Sequence, residues 1–201
     1  MAQSQLVWAF VVFAAVMLIT PGPNNVMLLS SGLSYGFRRT APHIAGVAIG
    51  FAFMVGAVGV GFGAVILAYP VLQTILKYAG AAYLIYLALV IAFSDPARPR
   101  QSAGGGPMTF WGAAMFQWIN VKGWIIVIGT VTAYAAMAQF PWNIVAQTVI
   151  TLVLGALSAM AWAVSGTALR PFLASARLVR AFNVAMAVLL LASLYPVFFE
   201  A

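Results

Sequence analysis

Long apolar runs separated by short polar segments are the main pattern along this chain. An apolar run of more than about 18 residues is typical of a helix that spans a membrane. The pattern predicts six such helices, which are Leu6 to Ser30, Ile44 to Ala68, Val71 to Phe93, Phe110 to Met137, Trp142 to Leu169 and Leu178 to Phe199. These spans occupy almost the whole sequence, so we expect an all-α integral membrane protein with a single transmembrane domain, residues 1–201.

The first run contains two helix breakers near its middle, in the segment Pro21-Gly22-Pro23-Asn24-Asn25. The two prolines lack the backbone donors that a continuous helix would direct at the carbonyls of Met17 and Ile19. Lipid cannot satisfy free carbonyls, so such a break is expected to line a cavity. We expect the helix to restart with Pro23 at its first position and with the backbone N–H groups of residues 24–26 unpaired. Such a helix start attracts anions.

The fourth run is interrupted in a similar way, by Gln117, Asn120, Lys122 and Gly123. A polar, Pro/Gly-rich segment divides the chain into a first repeat (1–93), a cytoplasmic linker (94–109) and a second repeat (110–201). Each repeat holds three predicted helices, an odd number, so the two repeats enter the membrane in opposite senses, as in the inverted repeats of secondary transporters. Matching interruptions in helices 1 and 4 predict a binding site near the membrane midplane.

Composition supports a membrane location, because 65% of the residues are hydrophobic and 5% are charged, against about 25% charged in soluble domains. Mean hydropathy is +1.07. The first run has no basic residue before it and is too long for a signal-peptide core, so we expect it to remain as a span. The chain has no cysteine, which excludes disulfides, thiol redox chemistry and cysteine metal sites.

The net charge of +7 sets the expected orientation. Seven of the nine basic residues follow the first, third and fifth helices: Arg38, Arg39, Arg98, Arg100, Arg170, Arg177 and Arg180. The positive-inside rule makes this face cytoplasmic and places both termini outside, in the periplasm. A nucleic-acid-binding patch is the alternative, but short loops without interleaved aromatic residues disfavour it, so no nucleic-acid partner is expected.

Lys122 is the ionisable residue that the pattern places deepest in the membrane. It lies about 18 Å past Phe110 at about 1.5 Å per residue. A lysine at that depth costs at least about 2.5 kcal/mol, and the carboxylates of Asp95 and Glu200 lie at predicted helix ends. An anionic group on a substrate is a natural counter-ion. The alternative is a lysine that ties together the open carbonyls of the broken helix, and the two roles are compatible.

Three asparagines, Asn24, Asn25 and Asn120, lie at the two interruptions. Amides satisfy the free backbone groups of broken helices well, so internal capping is one interpretation. Because these amides are grouped with Lys122, we favour contact with a substrate.

Lys77 and His43 are candidates for coupling or gating. Lys77 lies about two turns into the third helix from the outer side, and a side chain that extends to the outer headgroups is the alternative. His43 follows Pro42 at the cytoplasmic start of the second helix, where we favour a solvated interfacial histidine over a proton carrier.

The second helix is rich in glycine and includes two GxxxG spacings. Its glycines are Gly46, Gly50, Gly56, Gly59, Gly61 and Gly63. Glycines at that density let a neighbouring helix approach closely, so packing is the favoured interpretation, and a sliding interface is left open.

The sequence resembles the LysE/RhtB family of bacterial amino-acid exporters along its whole length. The matching segments are Thr20-Pro21-Gly22-Pro23-Asn24, Leu76-Lys77-Tyr78-Ala79-Gly80-Ala81-Ala82-Tyr83-Leu84 and Gln117-Trp118-Ile119-Asn120-Val121-Lys122. The doubled Asn24-Asn25 and the triplet Asn120-Val121-Lys122 are most similar to the branch that exports cysteine and O-acetylserine. Many family members have proline where this chain has Val121, so we expect a gentler break in the fourth helix.

The resemblance implies export of small amino acids from the cytoplasm across the bacterial inner membrane, by proton antiport with alternating access. The residues suggest a substrate carboxylate at the helix start after Pro23 and near Lys122, and an ammonium on the freed carbonyls of residues 17–20 and on amide oxygens. No carboxylate is available to offset a cationic side chain, so neutral substrates fit better than lysine or arginine. Candidate proton carriers are Lys122, Lys77 and His43. No cofactor or metal is expected, and a homodimer is left open.

Three other functions are weighed against amino-acid export. A metal-ion exporter on the same fold would need several oxygen, thiolate or imidazole ligands, which the spans lack. An intramembrane hydrolase would need an activated serine, for which Ser165 and Ser30-Ser31 are available, with His43 as the single base. A lipid-interacting protein without a substrate does not explain Lys122.

Overall fold

The computed structural model describes residues 2–93, 106–172 and 175–195, and within these ranges the chain is helical, without strands. The nine α-helices of these ranges are α1 (Ala2–Ile19), α2 (Pro23–Tyr35), α3 (Phe37–Ala57), α4 (Gly63–Ala68), α5 (Pro70–Ala92), α6 (Phe110–Phe116), α7 (Val121–Ala133), α8 (Trp142–Leu169) and α9 (Ala176–Ala192). A π-helical turn, Val58–Phe62, joins α3 to α4, and short 3₁₀ turns cover Gln117–Ile119, Ala135–Met137 and Arg170–Phe172.

Three helical segments of the described chain are long and apolar enough to cross a membrane: Phe37–Phe62, Thr74–Ala92 and Trp142–Phe172. Two further helix pairs pass the same test as single bent spans. They are Gln3–Ile19 with Pro23–Tyr35, bent by 54°, and Phe110–Ile119 with Val121–Ala133, bent by 71°. The described residues therefore hold three to five candidate membrane spans in an all-helical arrangement.

The sixth predicted span falls on α9, which is 17 residues long. Its predicted end, Phe199, lies outside the described residues, as does most of the predicted linker 94–109. The fifth predicted span has the same bounds as α8, so the prediction of that helix is confirmed.

The second predicted span begins too late, because α3 starts at Phe37 rather than at Ile44. Pro42 lies inside α3. Its missing donor costs little, since the carbonyl it leaves free belongs to Arg38, an exposed residue near the helix start where water can replace the bond. The earlier start moves His43 from the helix end to the second turn of α3, and this changes the surroundings of its side chain.

Helix α8 lies at the centre of the packing, in contact with α1, α2 and α3, while α3 also packs on α6 and α5 packs on α9. Glycines permit the closest of these approaches. A Cβ atom on Gly166 of α8 would overlap the carbonyl of Leu29 in α2, and one on Gly46 of α3 would overlap the carbonyl of Phe110 in α6. The predicted packing role of the glycines of the second predicted helix is confirmed for Gly46 and Gly50, which lie in α3. Gly50 lies against Ala114 of α6.

Four polar side chains of α8 point inward, and several of its large apolar side chains point outward. Asn143, Gln147, Thr151 and Ser158 are buried, whereas Val145, Val149, Val153 and Leu157 are each about half exposed. A soluble protein shows the reverse arrangement. Helix α8 therefore presents an apolar surface suited to lipid and keeps a polar face inside the protein.

Candidate functional site

The first helix breaks where the prolines predict it. Helix α1 ends at Ile19, Gly22 is the extended N-cap residue of α2, and Pro23 occupies the first position of the new helix, as expected. The prediction for the free N–H groups is wrong at Val26, whose N–H donates to the Gly22 carbonyl at 2.9 Å. The N–H groups at the start of α2 that remain for an anion are those of Asn24 and Asn25.

The second break is sharper than expected. Bends of 71° at the second break and 54° at the first contradict the expectation of a gentler break where Val121 replaces proline. The chain turns without a proline because the 3₁₀ turn Gln117–Ile119 is followed by Asn120 in an extended conformation (φ −82°, ψ 102°), after which α7 starts at Val121. In both helices the new segment therefore starts directly after one extended residue, Gly22 or Asn120.

The carbonyls freed by the first break are largely occupied by side chains of the protein. Leu18 O accepts from Asn25 Nδ2 and from Ser158 Oγ (2.8 Å each), Ile19 O accepts from Trp162 Nε1 (3.1 Å), and Thr20 O accepts from Asn25 Nδ2 (2.8 Å). Asn25 thus caps the end of α1, the structural alternative that the sequence left open. We expected the carbonyls of residues 17–20 to be left for a substrate ammonium, and the contacts show that α8 and Asn25 already use those of Leu18, Ile19 and Thr20.

Lys122 bridges the two breaks. Its Nζ donates to the carbonyls of Thr20 at 2.8 Å and Pro21 at 3.2 Å, so the role of tying the open carbonyls together is confirmed. The side chain lies against Gly22, where a Cβ atom would come within 2.8 Å of Lys122 Cδ and 3.0 Å of Nζ. An ammonium group has three donors, so one remains for a further partner.

A second bridge is formed by two side-chain amides. Asn24 Nδ2 donates to Gln117 Oε1 at 2.8 Å, and Gln117 Nε2 donates to Asn24 Oδ1 at 3.1 Å and to the Ala113 carbonyl at 2.7 Å. Gln117 is fully buried. Its two amide atoms are engaged, so in this conformation Gln117 connects the breaks and does not reach the cavity between them.

A small cavity of about 40 Å³ lies between the two breaks. Six of the predicted site residues line it: Gly22, Pro23, Asn24, Asn25, Asn120 and Lys122. Pro21 and Gln117 do not line it and contact its lining residues instead. Asn120 is 3% exposed, and its Oδ1 has no hydrogen-bond partner among the described residues. The residues that line the cavity therefore include a cationic donor and an asparagine whose side-chain oxygen is unpaired.

Helix α8 also contributes to this cavity, which the sequence pattern did not predict. Gly155, Ser158 and Ala159 line it, together with apolar side chains that include Phe51 and Ile126. The signal for Ser158 is the repeat of small or polar residues at intervals of three or four along the fifth run, which helical geometry gathers on one face.

His43 is buried, so the expectation of a solvated interfacial histidine is wrong. It is 1% exposed, its Nδ1 lies 3.1 Å from Ser31 Oγ, and its Nε2 has no partner among the described residues. The earlier start of α3 explains the difference, because the second turn packs against α2. Neither His43 nor Lys77, a half-buried residue of α5, lines the cavity.

The profile of the LysE type translocator family matches residues 15–193 of this chain. Proteins named cysteine/O-acetylserine efflux protein from Escherichia coli (strain K12) and Shigella flexneri serotype 5b (strain 8401) are each 32% identical over 167 residues, which cover 80% of this chain and 82% of theirs. The protein of the same name from Escherichia coli O1:K1 / APEC is 32% identical over 169 residues, with the same coverage. No solved structure matches the chain.

Proposed function

The chain belongs to the LysE type translocator family, and from this membership we propose that it exports small neutral amino acids or their derivatives from the cytoplasm. As a member of the family it is a membrane translocator and not an enzyme. The names of its relatives make cysteine and O-acetylserine the first candidate substrates. Homoserine and threonine, which are small and carry a hydroxyl group, are the next.

The observation that carries the proposal is the pairing of Lys122 with Asn120 in one cavity. A free amino acid presents a carboxylate, which needs donors, and an ammonium, which needs acceptors. The third donor of Lys122 Nζ and the N–H groups at the start of α2 are suited to the carboxylate. The unpaired Oδ1 of Asn120 is suited to the ammonium.

The size and charge of the cavity favour small neutral substrates. Its volume is small, about 40 Å³. The wall beyond the polar groups is apolar, with Met17, Phe51 and Ile126. No described residue is acidic, so the positive charge of a lysine or arginine side chain would have no partner within the described chain.

We propose that the two bent helix pairs belong to two inverted three-helix repeats in the bacterial inner membrane, with both termini in the periplasm. Each pair restarts after one extended residue, and Lys122 and the amide pair of Asn24 and Gln117 join the breaks. Such paired breaks at a shared site are typical of alternating-access transporters. The arginines at the helix ends of one face, Arg38, Arg39, Arg170, Arg177 and Arg180, set the orientation.

We further propose His43 as the proton carrier of an amino-acid/proton antiport. A carrier must bind and release a proton inside the protein, and the buried imidazole has one nitrogen beside Ser31 and another without a partner. Lys122 is the competing carrier, but its ammonium is held by two carbonyls. Loss of that proton would remove the positive charge that strengthens both hydrogen bonds.

Transport by purified protein in liposomes tests the main proposal. Vesicles are preloaded separately with labelled cysteine, O-acetylserine, homoserine and threonine, and with lysine as a cationic comparison. We expect release of at least one neutral substrate well above the rate from protein-free vesicles, and slower release of lysine. Release of no neutral amino acid, with or without a pH gradient, would refute the proposed export.

A further inference from the structure

The polar face of α8 continues beyond the central cavity toward the start of the helix at Trp142. This is the end away from Arg170. Ser158 and Gly155 line the cavity, and Thr151, Gln147 and Asn143 follow on the same buried face. The intervals of three or four residues keep all five positions on one side of the helix. At about 1.5 Å per residue, the face extends roughly 22 Å from Ser158 to Asn143.

Two amide oxygens on this face lack partners. Asn143 Nδ2 donates to the carbonyl of Ala135 at 3.0 Å, and Gln147 Nε2 donates to the carbonyl of Tyr134 at 3.1 Å. Their oxygens, Asn143 Oδ1 and Gln147 Oε1, are buried without a partner among the described residues. These hydrogen bonds fix the orientation of both amides, since a flipped amide would bring its oxygen against a carbonyl oxygen.

The unpaired acceptors are not scattered through the protein. Four buried side-chain nitrogen or oxygen atoms lack a partner in the described residues, and three are amide oxygens, on Asn120 in the cavity and on Gln147 and Asn143 along α8. Buried acceptors normally receive a hydrogen bond, so an unpaired buried acceptor marks a position where a donor can bind. The ammonium group of an amino acid is such a donor and passes this face if the substrate leaves along α8.

An aromatic cluster covers the outer part of the face. The ring of Tyr134, at the end of α7, lies 5.1 Å from the Phe10 ring and 5.5 Å from the Phe13 ring of α1, measured between centroids. Phe10 is fully buried, and Met137 packs in the same cluster. The amides therefore lie behind a closed apolar contact between α1 and the connection from α7 to α8.

We propose that the polar face of α8 is the outward part of the transport route, and that Asn143 and Gln147 form a second subsite that accepts hydrogen bonds from the ammonium group of the departing amino acid. This inference rests on the proposed export function and adds a site that the central cavity does not contain. Opening of the route requires α1 to separate from Tyr134, which exposes the two amides to the outside.

Cysteine accessibility tests the route, because the chain contains no cysteine of its own. Asn143→Cys, Gln147→Cys and Thr151→Cys probe the polar face, and Val145→Cys, Val149→Cys and Val153→Cys probe the apolar face at matched depths. Reconstituted variants are treated with a membrane-impermeant thiol reagent from the side of the membrane opposite Arg170, where α8 begins. We expect the polar-face cysteines to react at least about tenfold faster, and homoserine, which has no thiol, to slow their reaction. Equal rates on the two faces, or no reaction on the polar face, would overturn the route.

Gln147→Leu tests the subsite by separating binding from export. We expect homoserine binding to the purified variant to stay within about twofold of wild type, because the central cavity is intact, while efflux from liposomes falls about tenfold through loss of an ammonium contact. Asn183→Leu is the matched control, since Asn183 is a buried amide on α9 outside the route, and its efflux should not change. Wild-type efflux from Gln147→Leu would contradict the subsite.

Gel filtration shows whether Gln147→Leu folds. If it does not, Thr151→Val is the test, because valine has nearly the shape of threonine and lacks the hydroxyl. Efflux from folded Thr151→Val is expected to fall, and an unchanged rate would contradict the proposal. The two proposals fail differently. Wild-type protein that neither binds nor releases homoserine or the other neutral amino acids refutes the export function, whereas normal export by Gln147→Leu and Thr151→Val refutes the outward subsite alone.

Discussion

Replacement of Lys122 by methionine is expected to stop export while leaving the protein folded. Methionine keeps a long flexible side chain and removes the ammonium group. In the proposed complex that ammonium contacts the substrate carboxylate, and a hydrogen bond to a charged group contributes about 1.5–3 kcal/mol. Since 1.4 kcal/mol is about tenfold in an equilibrium constant, substrate binding should weaken by roughly 10- to 150-fold.

The effect of Lys122→Met on stability should be limited, because two terms oppose each other. The variant loses two hydrogen bonds to the carbonyls of Thr20 and Pro21, worth about 3–6 kcal/mol together if each contributes about 1.5–3 kcal/mol. It also escapes the cost of holding a lysine in the membrane, at least about 2.5 kcal/mol. The Thr20 carbonyl keeps its bond from Asn25. A net destabilisation of about 0.5–3.5 kcal/mol follows.

Export and stability are measured on the same preparation. Efflux of O-acetylserine or cysteine from liposomes reports transport, and thermal unfolding in detergent reports stability. Lys77→Met is the matched control, because Lys77 is also half-buried in a helix but does not line the cavity, and it should export normally. If folded Lys122→Met exports within about twofold of wild type, Lys122 only holds the break together and does not contact the substrate.

Three further variants test the surroundings of the cavity. Gly22→Ala should reduce export about tenfold, because the new Cβ would lie 2.8–3.0 Å from Lys122 Cδ and Nζ and displace the ammonium. Gly129→Ala, whose Cβ would have a single neighbour at 3.8 Å, is its control, and equal efflux from the two contradicts the displacement. His43→Gln, which cannot carry a proton, should abolish the acceleration of efflux by an imposed pH gradient, and a retained acceleration excludes His43 as the carrier. Gly166→Ala should lower the unfolding temperature through overlap with a carbonyl of α2, at a cost of about 1–3 kcal/mol, and an unchanged temperature contradicts that close contact.

The sequence predicts features that follow from local rules. A proline pair fixes where α2 starts, and the long, predominantly apolar run from Trp142 to Leu169 fixes the bounds of α8. The site is predicted in part for the same reason, since Asn24, Asn25, Asn120 and Lys122 lie directly at the breaks. Local rules fail at the second break, where a 3₁₀ turn and one extended asparagine replace proline.

Features that depend on distant parts of the chain escape the sequence pattern. Ser158 donates to the Leu18 carbonyl, 140 residues earlier, and Trp162 donates to the Ile19 carbonyl, 143 residues earlier. The sequence near Leu18 and Ile19 does not indicate these donors. His43 shows the same limit, because one prolonged helix start moves a residue at a predicted interface into a contact with Ser31. Long-range packing decides which free groups of a broken helix are available to a substrate.

Lys122 connects substrate binding to the contact between the proposed repeats. Its ammonium holds the carbonyls of Thr20 and Pro21 in the first break while its backbone belongs to the second. A substrate carboxylate on the third donor of Nζ attracts the ammonium more strongly than the two neutral carbonyls do, so binding draws Lys122 away from them and weakens one of the two bridges between the breaks. The amide bridge of Asn24 and Gln117 then holds the breaks together alone. A ligand shifts a conformational equilibrium only by binding one state better than the other, and competition at Lys122 supplies that difference for a ligand with a carboxylate. An amine of the same size without a carboxylate does not draw Lys122 away from the carbonyls. It should therefore enter the cavity without promoting the change to the outward-facing state.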